Sequence, residues 1–204
     1  MSTDNPSGWT TVHDLLDPNQ IIRIRSELDE LLGLPASERA VGDKPSAGTR
    51  HLEELDRRSP SIAELIELPR LIDVVEDFLP DPGTPAQVSY RSPQSGHGGQ
   101  LLHTDGVPRT APAPAEVVTA IVSLCDFTEH NGATRLIPGS HLRPDLQRLA
   151  GQLGEHTDAR TLTGVAGTAF VFDGHVLHSG TNNASEHERP ALQILWRRIG
   201  TMYA

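Results

Sequence analysis

Apolar positions recur every three or four residues from Thr11 to about Pro80, and every two residues beyond Pro85. The first texture is helical and the second strand-like, because side chains three or four apart share a helix face while alternate side chains share a strand face. In "VHDLLDPNQIIRIRSELDELLGL" the Asp17-Pro18 pair marks a helix start. "SPSIAELIELPRLIDVVEDFL" reads as two short helices divided at Pro69, with Ser59 or Ser61 as a cap. Between these stretches, "ASERAVGDKPSAGTRH" is rich in Gly, Pro and Ser and predicts a mobile loop.

The second texture resolves into about eight short strand-like segments: "AQVSYRS", "GQLLHTD", "VVTAIVSLCDF", "ATRLIP", "ARTLTGV", "GTAFVF", "HVLHSG" and "ALQILWRRI". Gly, Pro, Asn and Asp part them, and "LRPDLQRLAGQL" (142–153) interrupts them as a short helix or surface loop. Helices first and strands after predict an α+β, mainly β chain whose second part is a double-sheet roll or barrel. One domain over 1–204 is expected, with a mainly helical part at 1–84 and a β core at 85–200. No internal repeat or low-complexity tract is visible.

"VVTAIVSLCDF" has two unlike faces. Val118, Ala120, Val122 and Leu124 would meet a hydrophobic layer. Val117, Thr119, Ile121, Ser123 and Cys125 mix small and polar groups. That face suits a ligand-cavity wall, or equally a buried strand whose hydroxyls are satisfied locally.

Composition narrows the classes. The 17 Lys+Arg against 27 Asp+Glu give a net charge of −10, and no basic block forms, so neither nucleic acid nor coenzyme A phosphates are expected partners. The longest apolar run, "VVTAIVSLC", is too short for a bilayer, and the N-terminus lacks a signal peptide's basic and apolar regions. Cys125 is the single cysteine, which rules out an internal disulfide and points to a reducing, cytoplasmic setting. Ten histidines against four Phe, two Trp and two Tyr direct attention to metal chemistry.

His103 and Asp105, two apart in "GQLLHTDGVPRT", would share one strand face. An imidazole and a carboxylate with one more histidine make a facial triad that leaves positions open on iron(II). By itself H-x-D is weak and occurs by chance. A third ligand is sought in "GTAFVFDGHVLHSGTNN": Asp173-Gly174 signals a turn, leaving His175 at a bend and His178 on the following strand. His178 is therefore the better ligand and His175 a rim or supporting residue. Arg189, eleven residues on, has the chemistry to hold the far carboxylate of a dicarboxylate co-substrate, although alone it would read as a surface charge.

Taken together, "LLHTDG", "LCDFTEHNGATRLIPGSH", "GTAFVFDGHVLHSGTNN" and "ERPALQILW" resemble the phytanoyl-CoA dioxygenase (PhyH) family over roughly residues 85–198. The resemblance implies an iron(II)- and 2-oxoglutarate-dependent oxygenase that consumes O2. Its fold would be a double-stranded β-helix (jelly-roll, cupin-like) core with N-terminal helices on the major sheet. It matches His103, Asp105 and His178 to the iron ligands and Arg189 to the 2-oxoglutarate arginine. It places Thr134 and Gln100 near the co-substrate, and brings "SYRSPQSGHGG" to the site region, where Tyr90, Arg91 and His97 would contact substrate or co-substrate or serve the structure alone. Asn131-Gly132 is read first as a turn, and Pro138–His141 as a structural loop rather than a source of ligands. Related halogenases carry a small residue in place of the carboxylate, so Asp105 favours hydroxylation, desaturation or ring formation over halogenation.

Asp105 and His178 are only 73 residues apart (178 − 105), which predicts a compact core and an open site. Closure by the 41–60 segment or by a second copy in a homodimer would follow. A cupin-like metalloenzyme without 2-oxoglutarate, and a non-catalytic small-molecule-binding module, are the competing readings. Arg189 and the complete ligand set argue against them in turn.

Overall fold

A computed structural model describes residues 5–46, 48–152 and 156–198. In chain order its strands are β1 (Trp9–Val12), β2 (Thr49–Leu52), β3 (Gln87–Pro93), β4 (Val117–Ser123), β5 (Thr134–Leu136), β6 (Arg160–Thr161), β7 (Ala169–Asp173), β8 (His178–Gly180) and β9 (Ala191–Arg197). The α-helices are α1 (Pro18–Leu32), α2 (Leu55–Arg58), α3 (Pro60–Ile66), α4 (Pro69–Phe78) and α5 (Pro144–Gln147).

Local chemistry accounts for the helix ends. Asp17 caps α1 through a reciprocal box: its carboxylate accepts from Gln20 N at 2.9 Å, and the Gln20 side chain accepts from Asp17 N at 2.9 Å. Ser59 caps α3 by accepting from Ile62 N at 3.2 Å, and Pro69 opens α4 as the second helix of the pair. Ser59 and Ser61 both donate to the Glu27 carboxylate, which ties α3 to α1. The 142–153 stretch contains the short helix α5; residue 153, like residue 199 at the end of the last expected strand, lies outside the described residues.

The strands form two antiparallel sheets. Six assemble in the order β1-β7-β4-β9-β3-β2, and three in the order β6-β5-β8. Alternation along the large sheet separates two hydrophobic layers. Val118, Ala120, Val122, Val171, Leu192, Ile194 and Trp196 pack against Ile24, Leu28, Ile62, Leu65, Leu71 and Val75 of the helices. On the opposite face Ile121, Phe170, Phe172 and Ala191 pack with Leu136 and Val176. The helices therefore cover one face of the large sheet, while the small sheet and its flanking loops meet the other.

Three expectations require correction. The stretch read as a mobile loop, in which residue 47 lies outside the described residues, runs into β2, which extends the large sheet by pairing with β3. Asp43 fastens it: its carboxylate accepts from Glu53 N at 2.8 Å and meets the Arg58 guanidinium at 2.9 Å. Likewise β1 lies in the mainly helical part yet forms the opposite edge of the sheet, so both edge strands come from before residue 85. Finally, "GQLLHTD" makes no strand of its own. It touches the small sheet through a single antiparallel bridge, His103 with His178, and then turns away.

Candidate metal centre

The bridge sets the site. His103 N donates to His178 O and His178 N to His103 O, both at 2.9 Å, so the two residues stand directly opposite each other and their side chains rise on one face. Their ring centroids lie 4.3 Å apart. Each Nδ1 sits 2.9 Å from a backbone carbonyl oxygen, Leu101 for His103 and Val176 for His178. A carbonyl only accepts, so each Nδ1 carries the proton and each Nε2 keeps its lone pair free.

Asp105 reaches the pair by a different route. Its N–H and that of Gly106 both donate to Gly174 O, at 2.7 and 3.2 Å, anchoring the turn after His103 on the Asp173-Gly174 bend. The carboxylate Oδ2 then lies 3.5 Å from His178 Nε2 and accepts a 2.6 Å hydrogen bond from the Thr119 hydroxyl. Sharing of a face between His103 and Asp105 thus comes from this turn, not from strand periodicity.

One ligand atom from each of His103, Asp105 and His178 lies within 4.8 Å of the others, the sole such cluster among the described residues. That spacing suits a single ion with bonds of about 2.1 Å after a small closure of the side chains. Phe172 packs on His178 with centroids 4.8 Å apart and shields that side. Burial, and next the neighbouring His178, hold the His103 pKa below its ordinary value and favour the neutral ligand form. The donor set, two neutral imidazoles and a carboxylate, is the one a non-haem iron(II) centre requires.

The cavity above this cluster is lined by His103, His178, Arg189, Gln100, Thr134 and Arg91, with Ile121 and Gln193 on the sheet side. Arg189 precedes β9, its N–H held by Pro93 O at 3.0 Å and its guanidinium 4.7 Å above the Phe127 ring. Only 6% of the residue is exposed, its Nε is buried with no partner, and burial pulls its pKa down to about 10. A guanidinium so desolvated, with its Nε unpartnered, fits the carboxylate of an anion. Gln100 accepts from Gly180 N on Oε1 at 3.0 Å, which leaves its amide NH2 for the cavity, and Thr134 is buried on β5 opposite Gly180.

Other expected residues fall elsewhere. Tyr90 neighbours Arg91 on β3 and therefore faces the other way, into the helix-side layer, where burial raises its pKa to about 12. His97 is exposed and outside the cavity lining; its ring lies where a Gly48 side chain would begin. His175 is buried behind the site, with Nδ1 2.8 Å from Asp173 Oδ1. The Pro138–His141 run is structural, as expected: Ser140 Oγ accepts from Leu177 N at 2.8 Å, just before β8. A separate hollow of about 320 Å³, lined by Asn5, Asp77, His141 and Asp173, shares no residue with the cavity.

Sequence reasoning missed the supports. Thr119 appeared only as a polar member of a strand face, and its position fourteen residues from Asp105 carries no signal of their contact. Ser123 on the same face serves locally instead, bonding Val165 O and Thr168 O. Gln193 was legible as the polar break in "ALQILW", on the face opposite Leu192 and Ile194.

A helix-backed six-stranded sheet and a smaller three-stranded one, both antiparallel, enclose paired imidazoles, one carboxylate and a buried arginine, the arrangement of an oxygenase of the non-haem iron class. Residues 6–191 match the family described as Phytanoyl-CoA dioxygenase (PhyH), and the chain belongs to that family of iron- and 2-oxoglutarate-dependent dioxygenases. It is 27% identical to L-proline trans-4-hydroxylase of Streptomyces griseoviridis, over 94% of this chain and 83% of that protein. It is 24% identical to an ectoine dioxygenase of Nocardia farcinica, over 98% of this chain and 77% of the relative. In fold it resembles EctD from S. alaskensis, solved with 2-oxoglutarate and 5-hydroxyectoine. The TM-score is 0.73 at 21% identity, covering 98% of this chain and 79% of that one. No helix among the described residues is long and apolar enough to cross a membrane.

Proposed function

We propose that this chain is a single-domain enzyme over 1–204, a cytoplasmic iron(II)- and 2-oxoglutarate-dependent dioxygenase. It hydroxylates, or otherwise oxidises, an unactivated C–H bond of a small metabolite, amino acid or natural-product intermediate. The two antiparallel sheets are read as the double-stranded β-helix core. The observation that carries the functional reading is the pairing of a complete His103–Asp105–His178 cluster with the buried Arg189, its Nε unpartnered, in one cavity.

In this reading His103, Asp105 and His178 would hold the ion at the edge of the cavity that they line with Arg189. Iron held there would supply, with O2 and 2-oxoglutarate, the oxidant for the C–H bond, 2-oxoglutarate being converted to succinate and CO2. The protein's work is positional. Arg189 receives the distal carboxylate of 2-oxoglutarate, Gln100 and Thr134 line its path, and Phe172 and Ile121 keep that wall dry. Asp105 occupies the ligand position that a halogenase leaves open, so oxygenation rather than halogenation is expected. A metalloenzyme that does not use 2-oxoglutarate would gain nothing from Arg189 and would bear its desolvation without return.

Anaerobic titration with iron(II) and 2-oxoglutarate tests this. Wild-type protein should develop a visible metal-to-ligand charge-transfer band that His178→Ala lacks. Arg189→Gln should require about 100-fold more 2-oxoglutarate for the same band, matching the loss of a charge-assisted bidentate pair. A wild type with no band would refute the proposal. Succinate release in the presence of L-proline, ectoine and other small metabolites would then narrow the substrate.

A further inference from the structure

The cavity contains a second cation for which the chemistry above has no use. Arg91 stands on β3 with its side chain inward, lining the same cavity as His103, His178 and Arg189. Register places it between His51 of β2 and Ala191 of β9 on the same sheet face. Outside the cavity, Arg58 and Arg109 are buried or half-buried with partners: Arg58 meets Asp43 at 2.9 Å and Arg109 meets Asp173 at 3.2 Å. Arg91 has neither hydrogen bond nor ion pair among the described residues.

The nearby acids are already engaged. Asp105 accepts from Thr119 and faces His178, so its charge belongs to the metal cluster. Glu53 lies 3.2 Å from His51 Nε2 and near the Gln87 amide. Burial holds the Arg91 pKa below the arginine range, with Asp105 and Glu53 only partly opposing it, so the group sits desolvated without a mate.

Charge balance states what is missing. Arg91 and Arg189 bring two positive charges and Asp105 one negative, while the imidazoles are neutral as ligands. A divalent ion and a dianionic co-substrate cancel each other. One positive charge remains in the cavity, on its β3 wall. A neutral apolar substrate would bury that guanidinium unpaired, which is costly. A phosphate ester would overshoot it. We infer that Arg91 is a specificity-determining residue that selects a substrate bearing one carboxylate, gripping it by a bidentate pair and so fixing which carbon faces the metal. This deepens the dioxygenase reading and rests on it.

The test uses the whole protein loaded with zinc(II), a diamagnetic stand-in, and saturating 2-oxoglutarate. The probe is propionate, with propionamide as its uncharged match, and the readout is the arginine Nε–H signals by NMR. Propionate should shift the Arg91 signal saturably, leave Arg189 in place, and bind about 30-fold or more weakly to Arg91→Gln, with Arg91→Lys intermediate. Equal shifts with propionamide, no saturable shift at Arg91, or a shift confined to Arg189 would each overturn the inference. So would loss of the iron–2-oxoglutarate band in Arg91→Gln, which would make Arg91 a co-substrate residue. The two readings fail separately. A wild type without the band removes the dioxygenase proposal, whereas a wild type with the band and a silent Arg91 removes only the carboxylate.

Discussion

Gly106 and His175 are in contact so close that no side chain fits between them: a Cβ on Gly106 would lie 2.3 Å from His175 Nε2. The imidazole has no room to retreat, because it is 1% exposed and its Nδ1 is held 2.8 Å from Asp173 Oδ1. Asp173 in turn is fixed by Arg109 at 3.2 Å. A buried stack from Arg109 to His175 thus braces the residue that follows Asp105.

Gly106→Ala should therefore push the 105–106 turn off its anchor on Gly174 and displace the Asp105 carboxylate. A fall of about 10- to 100-fold in metal affinity is expected, with a stability loss of about 1–3 kcal/mol from overpacking. Calorimetric titration with nickel(II) and a urea melt measure the two. Adding His175→Ala removes the obstruction, so the double variant should bind metal more tightly than the single one. Equal affinities would show that the contact does not position Asp105.

Thr119 should matter through Asp105 alone. Thr119→Val keeps the shape but removes the 2.6 Å hydrogen bond, freeing the carboxylate to rotate. Metal binding should weaken about 10- to 100-fold, while Thr119→Ser keeps the donor and stays near wild type. Titration of both variants with iron(II) under anaerobic conditions separates hydroxyl from methyl; a Val variant that binds like wild type would rule the support out.

The metal-free protein should lose stability as pH falls below about 6.5. Burial holds the His141 pKa below that ordinary value, and its Nδ1 has no partner among the described residues; His51 is lowered by burial as well. Between the lowered folded pKa and the unfolded one, the unfolded chain binds the extra proton. Stability is therefore full above the unfolded pKa, declines through that window, and levels off below the folded pKa. Asp173 acts lower: His175 and Arg109 outweigh its burial and depress its pKa, so its contribution is lost only below about pH 4. Urea midpoints from pH 8 to 5 should fall for wild type and less steeply for His141→Leu. An identical slope in the variant would clear His141.

Much of the architecture was readable because it is local. Asp17-Pro18 and Ser59 cap helices where their side chains can accept orphan N–H groups, and Pro69 divides α3 from α4 where its ring forbids continuation. The alternation in "VVTAIVSLCDF" set Val118, Ala120 and Val122 against a hydrophobic layer, which the helices supply, and left the other face open between a cavity wall and a buried strand; Thr119 and Ile121 meet the site and Ser123 does not. Edge strands were not readable in the same way. β1 and β2 are short, half-buried and rich in polar residues, so they carry little alternation and take their shape from the neighbours they pair with. Tyr90 was misplaced although Arg91 beside it was not, because period-two geometry sends adjacent residues to opposite faces and only the packed helices reveal which face is which.

By itself, the sequence determined the main helices and the central strands, the family, and the residue types that make the candidate metal cluster, since each is written in spacing and side-chain chemistry. Only the tertiary structure decided that His103 and His178 oppose each other across one bridge, that Asp105 joins them from a turn on Gly174, and that Arg91 stands unpaired beside Arg189. The physical reason is that these relations depend on strand register and loop closure between segments 68 or more residues apart in the chain (174 − 106 for the nearest pair). Periodicity fixes which face a residue occupies, but only packing fixes what it faces.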